Sequence, residues 1–169
     1  MAKKMLFWKF FKNYELKSGI EEESRFSLIT DRRAVISKGM VMLKNAKRTV
    51  NIITSKNAFN ESFTTYHELV EETIRWGIRY RIVLDATEFD DSIFRVLEQY
   101  VSPKKSFIVK STDQPLIHCT IMDNKESLIA TSQEPTTGRN PYLWTNNHNL
   151  IEILQKNFER VWHTSTKTK

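Results

Sequence analysis

The chain has 169 residues, a length that fits one domain of ordinary size with its own core. Hydrophobic residues make up 40% and charged residues 27%, which excludes a wholly disordered chain, and the low content of Gly and Pro excludes collagen-like and linker-rich chains. Of the formal net charge of +6, residues 1–17 supply +4, and Lys167 and Lys169 supply +2. The body is therefore neutral, and attraction to nucleic acid or an anionic membrane is expected only at the ends.

The N-terminal segment, residues 1–24, mixes lysines with an apolar and aromatic run over residues 5–11. A short helix of that composition would either lie on an anionic membrane surface or pack on its own domain or a second subunit. Lys9 and Lys12 interrupt the run and no small-residue cleavage site follows, so the pattern is not that of a signal peptide. Because Cys119 is the only cysteine, no intramolecular disulfide can form, and we expect a reducing, cytoplasmic setting.

Strands alternate with helices along residues 25–165, which we interpret as one domain followed by a short tail over 166–169. We expect Thr30 or Asp31 to cap the first helix and Gly77 to end the second. The pattern predicts strands over 25–30, 49–55, 78–85, 106–110 and 142–145, helices over 33–47, 61–77 and 91–100, a hairpin of 116–123 with 126–132, and a last helix over 150–162. This order predicts an α/β (α+β) fold in which helices flank a mixed β-sheet with a late hairpin.

A resemblance to a known family is carried by several short segments of this region. They are residues 44–47 before the second strand, Gly77 with the strand over 82–84, residues 122–125 in the hairpin, and residues 144–147 leading to 158–162. The chain resembles the phospholipase-D-like sensor domain of archaeal TrmB-type transcriptional regulators and of some archaeal sensor histidine kinases. The resemblance covers residues 25–165 and implies a phospholipase-D-like half, a role in signalling or transcriptional regulation, and a homodimer or a partner protein.

The resemblance also bears on catalysis, since active phospholipase D enzymes use a His, one spacer, a Lys, four spacers and an Asp, followed by a Gly-Ser pair. The His attacks phosphorus, while the Lys and backbone donors hold the phosphate charge. If Asp123 takes the Asp position, Leu116 falls on the nucleophile and His118 on the Lys. The Gly-Ser position then reads Ala130 and Thr131.

A second register, with His118 as the nucleophile, places Thr120 on the Lys and Lys125 on the Asp. Neither register preserves the set, and only one copy is present where the active site needs two. We therefore predict a non-catalytic, intracellular sensor or regulatory domain that binds a small ligand or a partner protein. Two alternatives stay open: a divergent phosphodiesterase or nuclease that acts as a dimer through His118, and a nucleic-acid or membrane-surface binder through residues 1–17.

The resemblance implies a polar cleft near the strand ends, for which the hairpin supplies candidate ligand-binding residues. They are His118, Thr120, Asp123, Thr131 and Ser132. Alternation puts His118 and Thr120 on one face of the strand, and Cys119 and Ile121 on the other. His118 would bind a small molecule or an anion, or sense pH; the plainer interpretation is a half-buried histidine satisfied by a neighbouring backbone group.

Trp144 and Asn146 are two further candidates for ligand binding. A tryptophan beside amides suits stacking on a sugar or a nucleobase. The alternative interpretation is a core tryptophan followed by an asparagine helix cap.

Metals and cofactors find no support in the sequence. The four histidines lie far apart, and no paired cysteines have the spacing of metal ligands. No Gly-rich phosphate loop occurs either. We therefore expect neither a metal nor a cofactor.

Overall fold

The structure, a computed structural model, describes residues 23–85, 106–114, 116–132 and 140–167. The predicted N-terminal helix and the predicted helix over 91–100 lie outside these residues. Within them, eight strands and three helices follow one another: β1 (Phe26–Ile29), α1 (Arg32–Asn45), β2 (Thr49–Ser55), α2 (Lys56–Arg75), β3 (Arg79–Asp85), β4 (Phe107–Thr112), β5 (Cys119–Met122), β6 (Glu126–Ala130), β7 (Tyr142–Thr145), α3 (His148–Thr164) and β8 (Thr166–Lys167).

The eight strands form one mixed sheet, as the sequence predicted. Their order is β1-β7-β6-β5-β2-β3-β4-β8. The strands β2, β3 and β4 run parallel, and every other neighbouring pair is antiparallel. The strand β8 was not predicted, since its two residues lie in the segment over 166–169 that was interpreted as a tail. They pair with Lys110 and Ser111 of β4.

Helices cover both faces of the sheet. The larger core cluster lies under α1 and α2, and it joins Met42, Leu43, Phe59 and Phe63 to sheet residues that include Tyr80, Ile82 and Phe107. On the opposite face, α3 packs Ile151, Leu154, Phe158 and Val161 against Ile53, Val83 and Ile121. Burial of each such side chain contributes about 1.5–3 kcal/mol to stability.

Asparagine and aspartate caps start two of the helices. The Asp31 carboxylate accepts a hydrogen bond of 2.9 Å from the backbone N–H of Ala34, which confirms one of the two caps predicted for α1. The Asn147 side chain accepts one of 2.9 Å from the N–H of Leu150 at the start of α3. Both bonds satisfy backbone donors that have no partner within the helix.

The helix α2 begins five residues earlier than the sequence predicted. Ser55, the last residue of β2, caps it through a hydrogen bond of 3.2 Å from the N–H of Ala58 to Oγ. Ala58 and Phe59 are then buried, so residues that were interpreted as a loop belong to the first turn of the helix. The helix gives way after Trp76 to Gly77 at φ 91°, as predicted for a glycine at this position.

The predicted hairpin is formed by β5 and β6 and closes through a tight turn. Asp123 and Asn124 both adopt positive φ, at 53° and 57°, and the N–H of Lys125 donates to the carbonyl of Met122 at 2.9 Å. Positive φ at both central residues matches the right-handed twist of paired strands, and aspartate and asparagine tolerate it better than most residues.

Candidate functional site

His118 immediately precedes β5 and lines the space under α1 and α2. It is 4% exposed, and its Nε2 lies 3.5 Å from Oδ2 of Asp85, the last residue of β3. Neither ring nitrogen has a hydrogen-bond partner among the described residues. Burial lowers the pKa of His118, and the negative charge of Asp85 only partly opposes that shift, so the imidazole is neutral at pH 7. Among the described residues, no backbone group bonds to the ring, as the plainer interpretation would require.

The position of His118 in the sheet follows from the topology. The parallel strands β2, β3 and β4 all end at one edge, and β5, which is antiparallel to β2, begins there. Asp85 and His118 therefore meet at the carboxyl end of the parallel strands. Ligands of open α/β sheets bind at this edge because loops and side chains converge there.

A cavity of about 120 Å³ lies between the sheet and the two helices α1 and α2. Its wall is mainly apolar and includes Val35, Leu43, Phe59, Phe63, Ile82 and Leu128. His118 and Thr120 contribute polar atoms from β5 and the residue before it, on the face that alternation predicted. The structure thus brings these two candidate residues together at one apolar space.

Thr131 and Ser132 follow β6. The Thr131 hydroxyl donates to the carbonyl of Pro141 at 2.6 Å, which ties the end of β6 to the start of β7. The Ser132 Oγ is buried without a hydrogen-bond partner among the described residues. Neither residue is in the cavity wall.

Asp123 lies at the other end of the hairpin, where its carboxylate binds the connection between α1 and β2. The N–H of Lys47 donates to Oδ2 at 2.6 Å, and the N–H groups of Arg48 and Thr49 donate to Oδ1, both at 2.8 Å. Both carboxylate oxygens are used in this way. The contact joins residues more than 70 positions apart in the chain and fixes the entry into the central strand β2.

Trp144 borders a second, polar cleft of about 510 Å³ that also includes Asp123 and Asn146. Lys38 Nζ lies 3.7 Å from the centroid of the Trp144 ring, and the indole N–H donates to Glu126 at 2.9 Å. The ring therefore already has a cation over it and its polar atom is bonded. Its apolar part packs on the larger core cluster.

The side chain of Asn146 is hydrogen-bonded to the residues that precede β1. Its Oδ1 accepts from the N–H of Arg25 at 2.7 Å, and its Nδ2 donates to the carbonyl of Glu23 at 3.3 Å. The seven candidate residues are thus divided between the cavity, the end of β6 and this polar cleft.

Asp85 and a polar network beneath α3 were not predicted from the sequence. The network consists of Asn51, Arg81, Gln155 and Glu159, linked by hydrogen bonds of 2.6–3.1 Å. One sign of this network is visible in the sequence: Asn51 lies within an aliphatic strand. A buried asparagine needs a hydrogen-bond partner. Asp85 had a comparable signal, as a carboxylate at the carboxyl end of a buried strand.

The described residues show neither a metal cluster nor a membrane span. They contain no group of three or more His, Cys, Asp or Glu side chains placed to share a metal ion. None of the described helices combines the length and the hydrophobicity of a membrane span.

Comparison with known families gives one match by sequence. The family model described as Transcriptional regulator TrmB, EBD N-terminal subdomain, matches residues 25–169. No protein of curated function matches the sequence.

Solved structures match most of the chain at low sequence identity. TrmBL2, described as an archaeal chromatin protein with a novel mode of DNA binding, has a TM-score of 0.66 and 16% identity, over 99% of this chain and 63% of TrmBL2. NucT from Helicobacter pylori has a TM-score of 0.67 and 12% identity, over 86% of this chain and 100% of NucT.

Nuc from Salmonella typhimurium, a phospholipase D family member, has a TM-score of 0.60 and 13% identity, over 87% of this chain and 99% of Nuc. At these identities the matches show the fold alone. They confirm the predicted phospholipase-D-like fold, and this chain spans about two thirds of the length of TrmBL2.

Proposed function

Because the chain belongs to the family described as Transcriptional regulator TrmB, EBD N-terminal subdomain, we propose that it is a non-catalytic regulatory domain of phospholipase-D-like fold. In this proposal, residues 25–165 form the domain, and it binds a small ligand or a partner protein in transcriptional regulation or signalling. It acts in the cytoplasm, as a homodimer or with a partner protein.

The observation that carries this proposal is the burial of His118. In one register of the phospholipase D motif, His118 takes the place of the Lys and Leu116 takes the place of the nucleophile. A leucine has no nucleophilic atom, and a neutral histidine does not neutralise a phosphate. In the other register His118 is itself the nucleophile, but the described lining of the cavity at its ring holds no lysine or arginine to neutralise a phosphodiester.

The first test is hydrolysis of bis(p-nitrophenyl)phosphate by the purified chain. We expect release of p-nitrophenol at the rate of the buffer blank, and the same rate for the His118→Ala variant. A phospholipase D family nuclease serves as the positive control, and light scattering gives the oligomeric state under the same conditions. Hydrolysis by the natural chain that the His118→Ala variant lacks would contradict the proposal and support a dimeric phosphodiesterase.

A second candidate function is DNA binding through residues 1–17. Two observations favour it: these residues carry +4, and TrmBL2, which shares the fold, is described as binding DNA. An anionic membrane surface would be attracted by the same charges. Because the body of the chain is neutral, we propose that any such binding depends on the lysines of this segment.

The test of this candidate is fluorescence anisotropy with labelled duplex DNA over a series of salt concentrations. A plot of the logarithm of the affinity against the logarithm of the salt concentration should be a falling straight line. Its slope should be about −0.9 for each phosphate contact. The matched variant changes five lysines to glutamine: Lys3, Lys4, Lys9, Lys12 and Lys17. Equal affinity of this variant and the natural chain would rule out binding through the segment, and vesicles of anionic lipid in place of DNA test the membrane version.

A further inference from the structure

We propose that the cavity beneath α1 and α2 binds a small, neutral, mainly apolar ligand that donates one hydrogen bond to His118. This inference rests on the proposed function and deepens it, because it gives the chemical class of ligand that such a regulatory domain would recognise.

The size of the cavity limits the ligand. At about 120 Å³ it is somewhat smaller than an engineered apolar cavity of about 150 Å³ that binds benzene. A single six-membered ring with one small substituent therefore matches this space in size. The phenyl rings of Phe59 and Phe63, and the aliphatic side chains of Leu43 and Ile82, provide the contacts that such a ring needs.

The polarity of the ligand follows from His118. Its Nε2 lies beside the Asp85 carboxylate, which favours the tautomer with the proton on Nε2. In that tautomer Nδ1 carries a lone pair, and it has no hydrogen-bond partner among the described residues. Buried polar atoms are rarely left unpaired, so a hydroxyl or N–H group of a ligand would supply the missing donor.

The charges around the cavity exclude an ionic ligand. The lining contributed by the described residues contains no lysine or arginine, so an anion would find no countercharge among them. The nearest charged group to His118 that the structure gives is the Asp85 carboxylate, which repels anions. These observations favour a neutral ligand over the anion that the sequence also suggested for His118.

A matched pair of probes, phenol and toluene, separates the hydrogen bond from the apolar contacts. The two molecules have nearly the same shape and differ in the presence of a hydroxyl donor. Isothermal titration calorimetry on the full chain gives both affinities, and amide chemical shifts around β5 and β6 locate the bound molecule. We expect both probes to bind in the natural chain.

The decisive variant is His118→Phe, which keeps a ring in the wall but removes the acceptor. We expect the ratio of phenol affinity to toluene affinity to fall about tenfold or more. The phenol hydroxyl would lose its acceptor in the variant, and a missing hydrogen bond lowers affinity by about that factor. The variant Ala130→Leu fills the cavity from β6, directly across the hairpin from His118, and we expect it to abolish binding of both probes. Ile129→Val, in the same strand but packed on the core beneath α3, is the control and should bind both probes normally.

Three outcomes would overturn this inference: neither probe binds the natural chain, the affinity ratio is unchanged in His118→Phe, or Ala130→Leu still binds. If His118→Phe does not fold, Ala130→Leu together with the chemical shifts still decides the location. A failure here would leave the non-catalytic regulatory role standing, because that role is tested by phosphodiester hydrolysis.

Discussion

Replacing Asp123 with alanine is expected to lower the free energy of unfolding by about 3 kcal/mol. The carboxylate accepts three backbone hydrogen bonds, from Lys47, Arg48 and Thr49, and bonds to a charged acceptor are stronger than those between neutral groups. Removal leaves these three donors without the acceptor. Backbone strain of alanine at φ 53° accounts for roughly 1–2 kcal/mol of that total.

Two further variants at Asp123 separate these causes. Glycine removes the carboxylate but accepts the positive φ, so it should be more stable than alanine. The asparagine variant keeps one acceptor oxygen, which can accept from two of the three backbone N–H groups. It should therefore be more stable than the glycine variant. Urea denaturation of the four proteins measures the order, and an alanine variant as stable as the natural chain would show that the carboxylate has no structural role.

Replacing Arg81 with methionine is expected to cost about 2 kcal/mol, a value that allows for the partial exposure of the ion pair. The guanidinium donates to both oxygens of Glu159, at 2.6 and 3.0 Å, and its Nε donates to Asn51 at 3.0 Å. It also lies 4.9 Å from the centroid of the Phe158 ring. Asn51 is only 1% exposed, so the variant leaves a buried amide oxygen without its donor.

The pH dependence of stability gives a second measurement of this contact. The hydrogen bonds from Arg81 hold the pKa of Glu159 below its ordinary value of 4.5, against the opposing effect of burial. A carboxyl whose pKa is lower in the folded state adds stability above the unfolded-state pKa and loses it as the pH falls through the folded-state pKa. The natural chain should therefore lose stability more steeply than the Arg81→Met variant below about pH 4.5.

Arg79 provides the matched control for this experiment. It lies in the same strand, two residues away, and its side chain is exposed. Arg79→Met should change stability by less than about 0.5 kcal/mol and leave the acid dependence unaltered. Equal effects of the two substitutions would show that the bonds of Arg81 with α3 do not stabilise the fold.

Local patterns in the sequence were sufficient to predict most of the described helices and strands, because these elements form through local residue preferences. The β-branched run over 49–55 predicts β2, and alternation alone places His118 and Thr120 on one face of the hairpin. The start of α2 was misplaced because Ser55 is both the last residue of β2 and the cap of the helix, and no loop separates them.

The roles of the candidate residues depended instead on distant parts of the chain. Asp123 resembles a catalytic carboxylate in the sequence, and only the contact with residues more than 70 positions away shows that it holds the start of β2. His118 and Asp85 meet because β5 enters the sheet beside β2, a pairing that no local pattern specifies. The cavity likewise needs the packing of two helices on the sheet, which cannot be derived from either helix alone.

The order of the strands also determines how the domain would bear a mechanical load. The described chain enters at β1, one edge of the sheet, and leaves at β8, the opposite edge. At about 4.8 Å between strands, these edges lie roughly 34 Å apart. A force applied between these edges acts along the interstrand hydrogen bonds. It would break the bonds of the short edge strands one after another before it separated β2 from β3. Under tension, the edge strands would therefore yield first and the central strands beside His118 last.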